Sequence, residues 1–262
     1  MKAATFSAGS RCWISALLAV LFGANERRCV VCGRIHVCRA DGLPACSGCL
    51  SLLPQRLGGF CPACGELYAD ESLPPTLCGR CLKEPPPWQS LTFHGEYAGT
   101  LRDLILRCKF RQDPTAARLL AGLLAGRLAP ALASWPDPAR KGALIIPMPL
   151  HPKRLAQRGG NQCMELARAL RLPPIHPPTD GHGLSRIWAT PQQRGLSRRE
   201  RLRNVLHAFE AGPTVAGRHI LLLDDVLTTG TTMGQAVRCL LAAGAAQVHC
   251  AVVARVKLRG RA

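Results

Sequence analysis

The sequence predicts an α/β protein in which a mostly parallel sheet over residues 91–262 follows a cysteine-rich module at residues 29–84. Three features carry that expectation. Beyond residue 90, short apolar runs alternate with helical periodicities, the pattern of strand–helix–strand units. Ahead of it, a four-cysteine unit occurs twice with matched spacing. Between them lies KEPPPW at residues 83–88, whose three consecutive prolines continue neither a helix nor a central strand. Residues 85–90 therefore read as a stiff connector.

Composition narrows the class. A chain of 262 residues that is 47% hydrophobic is not a disordered polymer. Against 16 Asp and Glu stand 34 Lys and Arg, and the resulting +18 attracts polyanions or phosphorylated ligands without bearing on the fold. No run of 18 or more apolar residues occurs, so no transmembrane helix is expected. Residues 1–28 are an N-terminal extension. Its apolar stretch Trp13–Phe22 has the length of a signal-peptide core, yet no A-x-A cleavage site occurs between it and Asn25. An amphipathic helix packing on the adjoining module is expected there rather than secretion.

The elements of the C-terminal region run in order. Leu101, Leu104, Ile105 and Cys108 form one stripe of a helix over Tyr97–Phe110. Thr115–Leu132 is a second helix, rich in Ala and Leu. Ala143–Met148 (ALIIPM) is a short buried strand, followed by a basic loop and a helix over Gln162–Leu170. Four prolines and two glycines make Pro173–Gly183 a loop. The basic segment Arg194–Arg203 precedes Asn204–Phe209. A strand at His219–Asp224, a helix at Thr231–Ala243 and a strand at Gln247–Val253 complete the pattern.

The cysteines define the N-terminal chemistry. Cys29-x-x-Cys32 with Cys46-x-x-Cys49 is one unit, and Cys61-x-x-Cys64 with Cys78-x-x-Cys81 is the other. Thirteen residues separate the pairs in each, and the second unit repeats the first after 32 residues. Two residues between cysteines let both sulfurs converge from one tight knuckle, which suits tetrahedral zinc. Gly33 and Gly65 come directly after the knuckles, where such a turn needs positive φ. About two structural zinc ions are expected, with no open coordination position for catalysis. A disulfide scaffold would need an oxidising compartment. Pairing within units closes shorter loops than pairing across them, and the spacing admits both. Cys12, Cys108, Cys163, Cys239 and Cys250 lie in apolar surroundings and read as core thiols, and His36 and Cys38 as bystanders.

The most informative run is Ile220–Thr232, ILLLDDVLTTGTT. Four apolar residues make a strand buried on both faces. Two acids stand near its C-terminal end, where open α/β sheets bind ligands. The threonine-rich loop then offers backbone N–H groups, hydroxyls and a helix N-terminus to a phosphate. Acids beside a phosphate cradle make sense for a sugar phosphate, whose hydroxyls donate to carboxylates. A second loop, after the strand ending at Met148, carries Lys153, Arg154 and Arg158. Opening on the same sheet edge, it is placed to hold a diphosphate, although a solvated basic turn would look the same.

Ile220–Thr232 resembles, at every position, the 5-phosphoribosyl-1-diphosphate (PRPP) signature of type I phosphoribosyltransferases. That resemblance implies Asp224 and Asp225 at the ribose hydroxyls, with Thr228, Thr229, Gly230, Thr231 and Thr232 around the 5-phosphate and Mg²⁺ arriving with PRPP. Over nearly its whole length the chain is similar to the ComF family, with a zinc-ribbon module ahead of a type I phosphoribosyltransferase-like sheet. The similarity rests on the cysteine units, Phe93–Tyr97 (FHGEY) with Lys109-Phe110, Ile146–His151 (IPMPLH) and Arg158–Gln162 (RGGNQ). It rests further on Gln193-x-x-Leu196, on Arg201-x-x-Asn204 and on the PRPP loop. One departure is Gly160, where the family usually has an aromatic residue.

The resemblance implies two functions. As a transferase, the protein moves phosphoribosyl from PRPP to a nitrogen acceptor, with Asp224 and Asp225 stabilising positive charge on the ribose and Lys153, Arg154 and Arg158 neutralising diphosphate. Leu91–Phe110 with Pro173–Trp188 then forms the acceptor hood. As a ComF protein, it acts in DNA uptake during competence and handles single-stranded DNA, with a competence helicase or other uptake proteins as partners. Arg194, Arg198, Arg199, Arg201 and Arg203 are its candidate DNA contacts, though a solvated helix face has the same composition. Reduced zinc thiolates and PRPP both imply the cytoplasm.

Overall fold

A computed structural model describes residues 26–172, 177–187 and 208–258. These fall into two compact units, which divide between Leu52 and Leu53.

In the smaller unit, β1 (Glu26–Arg28) and β2 (Ile35–Val37) pair antiparallel around the first cysteine knuckle, and α1 (Ser47–Leu50) carries Cys49. The second repeat opens the larger unit and preserves this geometry bond for bond. Gly33 N–H donates to Cys29 O and Cys29 N–H to Arg34 O; 32 residues on, Gly65 N–H donates to Cys61 O and Cys61 N–H to Glu66 O. The Arg28–Ile35 strand pair recurs as a Phe60–Leu67 bridge, and α2 (Gly79–Lys83) carries Cys81. Gly33 and Gly65 both have positive φ, +75° and +71°, as the turns require.

The repeats differ in what they bury. Arg28 and Ile35 are exposed, whereas Phe60 and Leu67 are buried, with the Phe60 ring edge-on to Phe93 at 5.0 Å. With Phe60 in place of Arg28, the second repeat joins the larger unit's core, and Leu67 is buried with it where Ile35 is not. The proline connector is likewise built in: Trp88 is buried and its Nε1–H donates to Ala63 O at 2.7 Å.

The sheet of the larger unit runs β3 (Ser90–Glu96), β8 (Gln247–Arg255), β7 (His219–Leu227), β4 (Leu144–Pro147), all parallel. Ile220 and Leu222, with Val248, Cys250 and Val252, pack under Met233, Ala236, Val237 and Leu240 of α8 (Thr231–Ala242). Alternation turns Leu221 and Leu223 to the opposite face. There α4 (Pro114–Ala133) lies along β3 and β8 beside α3 (Gly99–Arg111) and α7 (Gln162–Ala169). Asp113 caps α4 by accepting from Thr115 N–H and Ala116 N–H. By length and composition α4 is apolar enough to cross a membrane. Its Leu119, Leu120, Leu124 and Leu128 are buried at 1% exposure or less, as in a core helix.

Several elements depart from the sequence-based expectation. β7 and β8 extend past Asp224 and Val253 to Leu227 and Arg255, because each offers the other a pairing partner to the end. β3 has only a weak sequence signature: Leu91 and Phe93 alternate with Ser90, Thr92 and His94 for just two periods before Gly95, and pairing with β8 makes it a strand. The expected basic loop after β4 contains a helix, α6 (Pro152–Arg158), with His151 as its N-cap. The short α5 (Asp137–Lys141) precedes β4, and β5 (Leu184–Arg186) pairs antiparallel with β6 (Phe209–Ala211).

Candidate functional site

The site lies at the C-terminal edge of the sheet. Asp224 and Asp225 occupy successive positions of β7, and both line the same cavity. Asp224 Oδ1 accepts from its neighbour's N–H at 2.8 Å and from the Cys163 thiol at 3.3 Å. Asp225 is 5% exposed; its Oδ1 meets Lys109 Nζ at 3.1 Å, and its buried Oδ2 has no hydrogen-bond partner among the described residues. A buried acceptor left open in this way is suited to a ligand hydroxyl. Burial, reinforced by the charge of Asp225, pushes the Asp224 carboxyl up to about 7. Cys163 Sγ and the two carboxylates lie within 4.8 Å of one another. A hard cation such as Mg²⁺ would use the carboxylates, since thiols suit softer metals.

Beyond the acids the chain turns through Thr228–Gly230 into α8. Gly230 has φ +81°, and a Cβ there would lie 3.2 Å from Trp88 Cη2. Thr228, Gly230 and Thr232 line a cavity of about 180 Å³, together with Asp224 and Asp225. The Thr229 and Thr231 hydroxyls are exposed and share a hydrogen bond at 3.0 Å.

Four cations face the same cavity: Lys109, Arg154, Arg158 and Arg186. Of the three basic residues expected from the sequence, Arg154 and Arg158 line it. Lys153 does not; it sits exposed in the first turn of α6. Arg158 stacks over the exposed Phe110 ring at 5.5 Å and donates to Gln162 Oε1 at 3.3 Å. Arg186 on β5 stacks over Phe209 of β6 at 5.6 Å. Lys109, Arg186 and Cys163 are the site residues that spacing did not reveal. Lys109-Phe110 entered only as part of a family resemblance, and Cys163 read as a core thiol. It is indeed buried, at 1% exposure, but beside Asp224.

Replacing Lys109 by Met leaves the buried Asp225 carboxylate without its counter-charge. The expected cost is about 2–3 kcal/mol, a fall in Tm of roughly 4–12 °C. Differential scanning calorimetry of the ligand-free protein measures it; an unchanged Tm would show that the pair contributes nothing.

A second cavity, of about 610 Å³, shares Pro149, Leu150, Gln162 and Arg186 with the first and continues along Gly159, Gly160 and Leu184. Leu184 and Arg186 belong to the β5–β6 ribbon, so this part of the expected hood borders the site. Residues 91–110, expected there too, instead form β3 and α3; from α3, Lys109 lines the first cavity, Cys108 lines the second, and Phe110 stacks against Arg158.

Each cysteine unit brings its own four sulfurs together. Cys29, Cys32, Cys46 and Cys49 lie within 4.8 Å of one another, as do Cys61, Cys64, Cys78 and Cys81. Grouping is thus within units, and a single cation can be reached by each tetrad. Cys38 belongs to neither. Arg194, Arg198, Arg199, Arg201 and Arg203 lie outside the described residues, as does Trp13–Phe22.

Residues 185–261 match the phosphoribosyl transferase domain family. The chain is 38% identical over 210 residues to the DNA utilization protein YhgH of Salmonella typhi, covering 78% of this chain and 87% of that one. To competence protein F of Haemophilus influenzae it is 32% identical over 230 residues, 85% and 94% of the two chains. Among solved structures, the glutamine PRPP amidotransferase from B. subtilis aligns at 18% identity and a TM-score of 0.34, over 56% of this chain and 30% of that one, a slight likeness. With the duplicated cysteine tetrads, the acid–threonine loop and these relatives together, the chain belongs to the ComF family, with a phosphoribosyltransferase-type α/β domain.

Proposed function

We propose that this chain is a PRPP-binding protein of the phosphoribosyltransferase fold that acts in DNA uptake and handles single-stranded DNA in the cytoplasm, with two structural zinc ions in its cysteine tetrads. The observation that carries the PRPP reading is the shared cavity. Two acids, a threonine–glycine loop and four cations converge there from β7, α8, α3, α6 and β5. The 5-phosphate sits at Thr228–Thr232, the ribose hydroxyls donate to Asp224 and to the open Oδ2 of Asp225, and Arg154 and Arg158 hold the diphosphate. Lys153 is positioned to contribute only long-range charge. Mg²⁺ accompanies PRPP on the ligand's own oxygens.

The DNA role draws on the names of the relatives, DNA utilization protein and competence protein F, and on the +18 charge. Arg194, Arg198, Arg199, Arg201 and Arg203 are its proposed contacts, and a competence helicase or another uptake protein its proposed partner. Fluorescence anisotropy of a labelled single-stranded oligonucleotide at near-physiological salt, with and without Mg-PRPP, tests both halves. Binding that PRPP modulates supports the coupled reading. Binding confined to low salt reduces the charge to a nonspecific field. In the Arg198→Ala/Arg199→Ala variant, the slope of log affinity against log salt is expected to flatten by about 1–2; an unchanged slope removes these arginines from the interface.

A second reading, an active phosphoribosyltransferase, draws on the 610 Å³ cavity, which has room for an acceptor beside the PRPP site. In that reaction a nitrogen nucleophile bonds to C1 of the ribose as the C1–O bond to diphosphate breaks, the pair of electrons leaving with diphosphate. Diphosphate release in a screen of nucleobases and ammonia distinguishes the two readings.

A further inference from the structure

We infer that the second cysteine knuckle is the rear support of the phosphate loop, and that Arg255 and Trp88 are the positioning residues that transmit its geometry to Thr228–Gly230. The inference rests on the proposal that Thr228–Thr232 binds phosphate.

Arg255 ends β8 and is 1% exposed, so it cannot touch a ligand. Its guanidinium instead joins two backbone segments. Nε–H donates to Cys64 O of the knuckle at 3.2 Å, while Nη1–H donates to Leu227 O at 3.1 Å, to Thr228 O and to Val256 O at 2.9 Å. Nη2 lies 3.5 Å from Glu66 Oε2, two residues beyond Cys64. Because a trans peptide sets C=O and N–H on opposite sides, holding the Thr228 carbonyl toward Arg255 turns the Thr229 N–H the other way. The strut therefore orients an anion-binding amide without contacting the anion. A lysine cannot span these acceptors, since it lacks the planar fork.

Trp88 is a second, independent strut. Its Nε1–H is held by Ala63 O inside the Cys61–Cys64 knuckle, and the far edge of its ring meets Gly230. On the knuckle side Gly65 fits equally closely: a Cβ there would stand 3.2 Å from Arg255 Cδ and 3.0 Å from Leu91 Cδ2. Both struts start within the stretch Cys61–Glu66 and end on the loop. Four thiolates around a divalent metal are net negative, so a loaded tetrad also places counter-charge near the buried guanidinium.

Hydrogen exchange of the full-length, zinc-loaded protein tests the linkage without any ligand. In Arg255→Lys, amides of residues 228–232 are expected to exchange about tenfold faster while those of Leu221–Leu223 keep their protection. Cys78→Ser/Cys81→Ser should reproduce the loop effect, and Cys46→Ser/Cys49→Ser should leave the loop unchanged. PRPP titration should show a matching loss of about tenfold or more in affinity for the first two variants only. Unchanged loop exchange in Arg255→Lys overturns the inference. If that variant loses protection throughout the sheet, Trp88→Phe decides: the bond to Ala63 and the outer ring edge that reaches Gly230 both go, and loop exchange must rise for the linkage to stand. Should wild-type protein fail to bind PRPP, the phosphate-loop reading falls, and the exchange data still decide whether knuckle and loop are coupled.

Discussion

Asp224→Asn is expected to abolish PRPP binding and to raise the Tm of the ligand-free protein at pH 8. The two effects have one cause. In the folded chain the Asp224 carboxyl titrates near 7 against an ordinary 3.8, chiefly from burial and then from the charge of Asp225. An acid raised on folding contributes its full stability below the unfolded value and loses it as pH climbs through the folded one. Above about 7 the ligand-free protein therefore carries a crowded carboxylate that an amide of the same shape relieves. Asp224 keeps partial access to the cavity, so the gain is put at about 1–2 kcal/mol, a Tm rise of roughly 2–8 °C. It should shrink as pH falls toward 4, where both forms of the protein hold a neutral side chain. Calorimetry at pH 8 and pH 4.5 with isothermal titration of PRPP measures the set. Binding that survives in the variant removes Asp224 from the site, and a lower Tm at pH 8 refutes the electrostatic account. Zinc content should not change.

The second large effect concerns the tetrads. Pure protein under reducing conditions should carry close to two zinc ions, and each double Cys→Ser variant should lose one. The stability cost should be unequal. Structural zinc is worth on the order of 10 kcal/mol in small modules that fold only with metal. In the smaller unit that loss stays local, because Cys32 is exposed and little apolar surface depends on the knuckle. Cys61, Cys64 and Cys81 are buried, and their knuckle holds Trp88 and Arg255 of the sheet core. Cys78→Ser/Cys81→Ser should therefore lower the main transition by at least roughly 6–12 °C, whereas Cys46→Ser/Cys49→Ser should leave it in place. Absence of zinc, or equal shifts in both variants, refutes this division.

The motifs legible in the sequence were those whose geometry is local. A C-x-x-C knuckle needs six residues and one glycine, and its duplication at an offset of 32 survives in the hydrogen bonds of both copies. The acid–threonine loop spans thirteen consecutive residues, Ile220–Thr232, so strand, turn and helix start were readable together. Even the division between repeats had a signal, in Phe60 against Arg28, but Ile35 is as apolar as Leu67, and only burial separates those two.

What tertiary structure decided was which distant residues share one space. Lys109, Cys163 and Arg186 lie 116, 62 and 39 positions from Asp225, on three different elements, and no periodicity of a helix or strand encodes that convergence. Lys153 and Arg154 are neighbours in sequence, yet the helix that carries them turns one to solvent and the other toward the cavity. Arg255 looks like one more charge in a basic chain until the fold buries it between knuckle and loop. Local bonds determine the shape of a turn, and sequence alone is enough to specify them. Burial and the meeting of charges depend on parallel strands placed side by side by long crossovers, and only the assembled sheet determines those.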